Sequence, residues 1–310
     1  MPKLTEKTRK DFNYLVELAM KESDYSHMRP VIEKELLHYD LLFALDKNGL
    51  LDKLTFQGGT SLRLCYGSFR FSEDLDFVGG YDFTNSNLID MKDCIKNYIA
   101  DRYGLEISVK EPAQMLLEPQ NQDLKVNKWQ IAMTTSPTKK DLPKQKVKIE
   151  VCNIPAYTKT PLALNVNYDF LPDGYGDVLI MTETLDEIMA DKLISLVNTT
   201  RYVRHRDIWD LRWLKQKGAV INKEFIFSKI KDYKITDYVV KLDNVIKNID
   251  QIIRSESFYS ELSRFIPESV QIRTLKKEKF KDFLVNETSL MLNQLRSLFD
   301  DEEKNDEFFI

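Results

Sequence analysis

The spacing of apolar positions changes part-way along this chain, and the change predicts two kinds of architecture. Short apolar runs suggest strands at Leu54–Gln57, Leu75–Val78, Leu105–Glu111, Trp129–Thr134 and Lys146–Asn153. The last is the clearest. In Lys146-Val-Lys-Ile-Glu-Val, polar and apolar residues alternate with the period of a half-buried strand. Val147, Ile149 and Val151 would face a core, and Lys146, Lys148 and Glu150 the other side. A helix around Leu88–Tyr103 lies among these segments. Two helices lead in, the first from about Thr5 to Lys21. The second starts near Pro30, whose fixed φ suits a first helical turn, and stops at Gly49, a residue that readily ends a helix. From Leu185 onward the period is helical to the end.

Punctuation agrees with this division. Six of ten glycines (49, 58, 59, 67, 79, 80) cluster early, and seven of ten prolines lie between Pro112 and Pro172. After Gly218 there is no further glycine, and only Pro267. An α+β domain over residues 1–182 followed by a helical domain over 183–310 is the expected organisation. The closing DDEEKNDE run reads as a frayed, solvated tail without a function of its own.

Composition narrows the function classes. The 310 residues are 43% hydrophobic with a net charge of −4, so nothing draws the whole chain toward a polyanion, and any such contact must be local. Three scattered cysteines, Cys65, Cys94 and Cys152, lack metal-ligand spacing and suggest a reduced, cytoplasmic protein. The polar opening from Lys3 to Lys10 does not read as a secretory leader, and no apolar run approaches membrane-spanning length, so no membrane association is expected. There is no P-loop, dinucleotide fingerprint, Ser-His-Asp or Cys-His arrangement. His27, His38 and His205 share no ligand spacing; His205 is a minor candidate for acid–base work.

Candidate chemistry concentrates between Phe56 and Phe77, FQGGTSLRLCYGSFRFSEDLDF. Gly58 and Gly59 can bring backbone N–H groups close to phosphate oxygens. Asp74 and Asp76 flank Leu75 on a strand, which points both carboxylates to one face and suits Mg²⁺ bridged to a triphosphate. Alone, Asp-x-Asp is a common surface pattern; its place just beyond the glycine pair gives it weight. A third carboxylate for two metals is best supplied by Glu150, against the plainer reading of a Lys148–Glu150 neighbour pair. Lys192 falls on the apolar stripe of Leu185, Ile188, Met189 and Leu196, where an ammonium must snorkel or meet an anion; a nucleotide phosphate is the favoured anion. Asp207 and Asp210 share a helix face with Val203, Leu211 and Leu214. Either could position Lys192 or an incoming hydroxyl, or form a structural pair with Arg206 or Arg212. Six basic residues between Arg201 and Lys217 suggest a phosphate-bearing acceptor such as RNA. The Arg273–Lys281 and Lys139–Lys148 clusters are taken as solvated surface.

Four motifs together, GGTSLRL…RFSEDLDF at 58–77, Lys148-Ile-Glu150, ETLDEIMADKLISL at 183–196 and RDIWDL at 206–211, resemble the AbiEii/AbiGii-type nucleotidyltransferase toxins of the DNA polymerase β-like superfamily. The motifs span about half of the chain. The resemblance implies a polymerase β-like domain, a mixed sheet with flanking helices, followed by a helical C-terminal domain completing the active-site cleft. It implies that Gly58, Gly59, Thr60 and Ser61, with Arg70 and Ser72 of the same motif, bind the NTP. Asp74 and Asp76, with Glu150, would bind two Mg²⁺ ions, and Lys192, Asp207 and Asp210 would complete the catalytic set. An RNA or tRNA acceptor, and an antitoxin encoded separately, are implied as partners. Gln57 stands where the family often carries lysine. The competing classes are a nucleotide- or RNA-binding regulator without turnover, and a nucleotidyltransferase acting on a small molecule of the antibiotic-modifying kind.

Overall fold

The structure, a computed structural model, describes residues 10–21, 23–25, 27–112, 124–135 and 144–307, without the side chains of residue 23 and of 301–307. The start of the expected first helix, residues 5–9, and the 139–143 part of the lysine-rich loop lie outside the described residues. The chain forms two compact units, Met1–Glu183 and Thr184–Ile310.

The first unit holds a seven-stranded sheet. Its strands are β1 (Thr55–Gln57), β2 (Leu75–Val78), β3 (Ile107–Lys110), β4 (Val126–Met133), β5 (Gln145–Cys152), β6 (Thr160–Ala163) and β7 (Leu179–Thr182). They lie in the order β3-β4-β5-β2-β1-β7-β6. The sheet is mixed: β2–β5 and β1–β7 pair in parallel, the other neighbours antiparallel. Its helices are α1 (Phe12–Ala19), α2 (Arg29–Lys47), α3 (Gly58–Leu64) and α4 (Met91–Tyr103). The five expected strands are present, and β2 has the expected bounds. β6 and β7 were not anticipated. β6 carries Pro161, which is tolerated because β6 is an edge strand where one N–H is not needed for pairing. β7 places Leu179 and Met181 outward and Ile180 inward, so apolar residues on both faces erase the alternation.

The inward face of the sheet carries Phe56, Leu75, Phe77, Trp129, Val147, Ile149 and Val151, all buried. α2 is enclosed to the point that Glu33, Glu35, His38 and Asp40 are buried beside its leucines. Burial of such groups is costly unless each finds a partner, and each does. Arg63 of α3 grips Glu35 with two hydrogen bonds, Nε to Oε2 at 2.8 Å and Nη2 to Oε1 at 3.0 Å. Asp40 receives Tyr103 at 2.7 Å, Tyr175 and the Arg102 guanidinium at 3.0 Å. The Arg63–Glu35 fork fixes α3, and with it the glycine pair, to α2.

The second unit is helical: α5 (Leu185–Asn198), α6 (His205–Gln216), α7 (Lys223–Asp232), α8 (Tyr238–Arg254), α9 (Glu256–Ser263), α10 (Glu268–Arg273) and α11 (Glu278–Glu307). The acidic closing run, expected to fray, continues α11 as helical backbone through Glu307. Leu193, Leu211, Leu214, Ile226, Leu242 and Leu292 form its core. Lys229 is enclosed there with Glu187 at 2.9 Å and Asp191 at 2.6 Å, a second buried charge group that the sequence patterning did not reveal. No helix among the described residues is long and apolar enough to cross a membrane.

Candidate active site

In the first unit the sheet register sets the site. Gln57 pairs with Asp76, Asp76 with Glu150, and Glu150 with Lys128, so four polar side chains stand abreast on β1, β2, β5 and β4. Partners in register share a face, and here it is the face opposite the apolar core. Lys128 Nζ lies 2.7 Å from Glu150 Oε1, the expected contact of directly opposed residues. Asp74 extends the same face by two residues. Its Oδ1 accepts the Lys148 backbone N–H at 3.1 Å, and Lys148 Nζ lies 3.3 Å from Oδ2. Partial burial lowers the Lys148 pKa, but Asp74, with Glu150 and Glu73 nearby, outweighs it and leaves that pKa raised. Glu150 therefore takes Lys128, and not Lys148, as its ion-pair partner.

The glycine pair is shaped by the aspartates it precedes. Gly58 opens α3 with φ +77°, a conformation that costs most residues about 1–2 kcal/mol by steric contact. A methyl group built on it would approach Asp76 Oδ2 to 2.7 Å. On Gly59 a methyl would come within 2.4 Å of Arg70 Nη2 and 2.9 Å of Ser72 Oγ. Both glycines thus admit the chain's own charged groups. Arg70 and Ser72 are buried, and Arg70 Nη1 donates to the Phe71 carbonyl at 2.7 Å. Thr60 and Ser61 are buried as well; the Thr60 hydroxyl donates to the Asp74 carbonyl, tying the first turn of α3 to the entry of β2.

α2 holds the same entry from the other side. Lys34 Nζ pairs with Glu73 Oε1 at 2.6 Å, and His38 Nε2 donates to the Glu73 carbonyl at 3.0 Å. Burial keeps His38 below its ordinary pKa and neutral. Lys34 and His38 lie 39 and 35 residues from Glu73 in sequence, and no local spacing could have disclosed them.

The donor set fits a divalent cation. Asp74 and Asp76 supply hard oxygens from one face, and two lysine ammonium groups already rest on Asp74 and Glu150, where positive charge is favoured. Among the described residues no group of three or more His, Cys, Asp or Glu is arranged to hold a metal ion. A cation here would complete its shell with substrate oxygens and water, as Mg²⁺ does with phosphates.

In the helical unit, Lys192 of α5 is buried between the two aspartates of α6. Its Nζ lies 2.6 Å from Asp207 Oδ1 and 3.0 Å from Asp210 Oδ2. Asp207 and Asp210, three residues apart on one helix face, reach the same ammonium. Asp207 also accepts Ser195 Oγ at 2.7 Å and Arg204 Nε at 2.6 Å. Burial alone would raise the pKa of Asp207, yet Lys192 and Arg204 overcome it and hold the carboxyl well below the usual range. The anion that Lys192 meets in this unit is therefore a pair of carboxylates. Of the basic residues in the 201–217 stretch, Arg204 is tied to Asp207, Arg206 to Glu261 at 3.2 Å and Lys215 to Glu287 at 2.8 Å. Burial brings Arg212 down to about 10, with Asp210 opposing, and its guanidinium stacks 4.3 Å from the Trp209 ring centroid. His205 Nδ1 contacts Glu261 at 2.9 Å.

The model of the nucleotidyltransferase AbiEii toxin family, of type IV toxin–antitoxin systems, matches residues 40–305, most of the chain. The chain belongs to the AbiEii family. Every sheet and helix residue described above as part of the site falls within that match, apart from Lys34, Glu35 and His38 of α2. Membership carries with it an NTP substrate and an antitoxin partner. The fold is similar to MenT4, a nucleotidyltransferase toxin from Mycobacterium tuberculosis H37Rv, with TM-score 0.53 and 18% identity over 91% of this chain and 89% of that one. JHP933 from Helicobacter pylori gives TM-score 0.45 at 18% identity, covering 90% of this chain and 98% of its own. No curated protein matches the chain in sequence. The AbiEii motifs thus sit on a mixed sheet with flanking helices, followed by helices alone, as the resemblance implied.

Proposed function

We propose that this AbiEii chain transfers a nucleoside monophosphate from an NTP to a hydroxyl of an RNA acceptor, tRNA being one such acceptor, and releases pyrophosphate. The observation that carries the reading is the row of Asp76 and Glu150 in register, with Asp74 on the same face and Gly58 pressed against Asp76. Asp74 and Asp76 would hold the two Mg²⁺ ions together with substrate oxygens and water, and Glu150, in register with Asp76 but not grouped with the pair as a metal site here, is assigned as the third carboxylate on family grounds. Bound there, Mg²⁺ would lower the pKa of the attacking hydroxyl and offset charge on the phosphorus during in-line displacement.

The chain's own residues prepare that step. Thr60 and His38 hold the backbone carbonyls of Asp74 and Glu73, and Lys34 pairs with the Glu73 carboxylate, so the chain that carries Asp74 is set in place before substrate arrives. Lys148 keeps Asp74 charge-balanced until a cation replaces its ammonium. Gly58, Gly59, Thr60 and Ser61 are assigned to the triphosphate, with Arg70 and Ser72 behind them. Lys192, Asp207 and Asp210 are assigned to the same reaction on family grounds.

Asp74→Asn keeps shape and removes charge. Incubated with each labelled NTP and total cellular RNA, it should incorporate no label while its thermal midpoint is retained. Undiminished incorporation would sink the assignment. In the same assay, label reaching a small molecule and no RNA would favour the antibiotic-type reading. NTP binding without any transfer by the native protein would favour a regulator.

A further inference from the structure

Within the helical unit a groove of about 380 Å³ follows the last turn of α5, the 199–203 segment and α8. Lys241, Asn244, Val245, Asn248 and Ile252 contribute from α8 at helical spacing, so one face of that helix lines it. The floor is apolar, with Leu196, Val197 and Val245. Two cations, Arg201 and Lys241, stand among its lining residues and no carboxylate does. Lys241 Nζ donates to neutral oxygens, Asn198 Oδ1 at 2.8 Å and the Thr236 carbonyl at 3.0 Å, which orient it without neutralising it. Tyr202 is 61% exposed at the rim.

We propose that this groove seats the unpaired end of an RNA strand, one base over the apolar floor and against Tyr202, its phosphates toward Arg201 and Lys241. The inference rests on the reading of the chain as a transferase acting on RNA, and gives that acceptor a place to bind. Charge is the first support: a groove with cations and no carboxylate favours a polyanion. An exposed tyrosine beside an apolar floor is a stacking platform for an unpaired base, and the Asn244 and Asn248 amides offer donors and acceptors for its edge. A helical protein ligand would ask for a longer apolar track than one flanked by amides and cations. Continuity is the second support. Arg204 Nη1 donates to Tyr202 Oη at 3.4 Å while its Nε holds Asp207, which holds Lys192. The groove rim and the buried charge cluster are joined through one arginine.

The test is fluorescence anisotropy of the full-length protein with a short fluorescein-labelled single-stranded RNA, without NTP, over a range of salt. Tyr202→Ala should weaken binding by roughly ten-fold. Arg201→Glu should weaken it further and reduce the salt dependence by about one phosphate contact. Lys279→Glu, an exposed change on α11 in the cluster taken as solvated surface, should leave it unaltered. Steady-state transfer with RNA should show a raised KM for RNA in the Tyr202→Ala protein and an unchanged KM for NTP. Native protein that labels RNA while both groove variants bind RNA normally overturns the groove and leaves the transferase reading standing. Native protein that transfers nothing to RNA, with groove variants still defective in RNA binding, supports the groove and removes the transferase reading. Absence of RNA binding by the native protein overturns the groove as an RNA site, with a protein segment as the remaining occupant.

Discussion

Asp207→Asn tests the buried charge cluster of the helical unit through stability. The substitution keeps volume and removes the negative charge that Lys192, Arg204 and Ser195 share. Breaking a buried pair by losing one partner costs about 3–5 kcal/mol, because the other charge stays buried and uncompensated. Two features place this site at the low end. Lys192 keeps Asp210 at 3.0 Å, and the Arg204 side chain, 32% exposed, can recover water. The expected loss is thus ~3 kcal/mol, and a denaturant slope of ~2 kcal/mol per molar converts it into a urea midpoint lowered by ~1.5 M. Trp209 and Trp213 lie on the same helix as Asp207 and report the transition by fluorescence. Because the Asp207 carboxyl is held below the usual range, its contribution is complete above about pH 5 and is lost as pH falls. The gap between native and Asp207→Asn proteins should therefore narrow below about pH 4. Combining Lys192→Met with Asp207→Asn should cost less than the sum of the single changes by at least ~1 kcal/mol, since the paired charges disappear together. A single-variant loss under ~1 kcal/mol, or strict additivity, would refute mutual neutralisation as the role of this pair.

Two further outcomes follow from the sheet unit. Gly58→Ala meets a left-handed φ and a 2.7 Å approach to Asp76, so it should lower stability by about 1–3 kcal/mol and suppress transfer by displacing that carboxylate; an unchanged thermal midpoint would contradict the geometry. Lys148→Met removes a half-exposed pair at 3.3 Å whose contribution is only about 0.2–1 kcal/mol. Mg²⁺ affinity by calorimetry should tighten, by no more than about five-fold, and weaker binding would show that Lys148 does not compete for Asp74.

The residues that announce themselves in the sequence are those whose polarity conflicts with a period. Lys192 on an apolar stripe and Asp207 and Asp210 on the next one are legible because a charge among leucines demands a partner. The alternation in VKIEV placed Lys148 and Glu150 on the polar face, where they lie. What the period could not supply is pairing across the chain. Lys128 opposite Glu150, His38 under Glu73, Arg63 on Glu35 and Arg204 on Asp207 depend on register, helix rotation or loop path. Such contacts arise from tertiary packing, and a single sequence encodes them without displaying them. The short strands β6 and β7 were hidden for a related reason: one contains proline, the other is apolar on both sides.

The row formed by Gln57, Asp76, Glu150 and Lys128 has a consequence for how this protein fails. A slip of one residue between β2 and β5 would turn Asp76 or Glu150 into the hydrophobic layer and bring Phe77 or Ile149 to the polar face. Misregistered sheets therefore bury bare carboxylates and cannot persist as compact forms with a crippled centre. For this row, an error of register is therefore an error of folding.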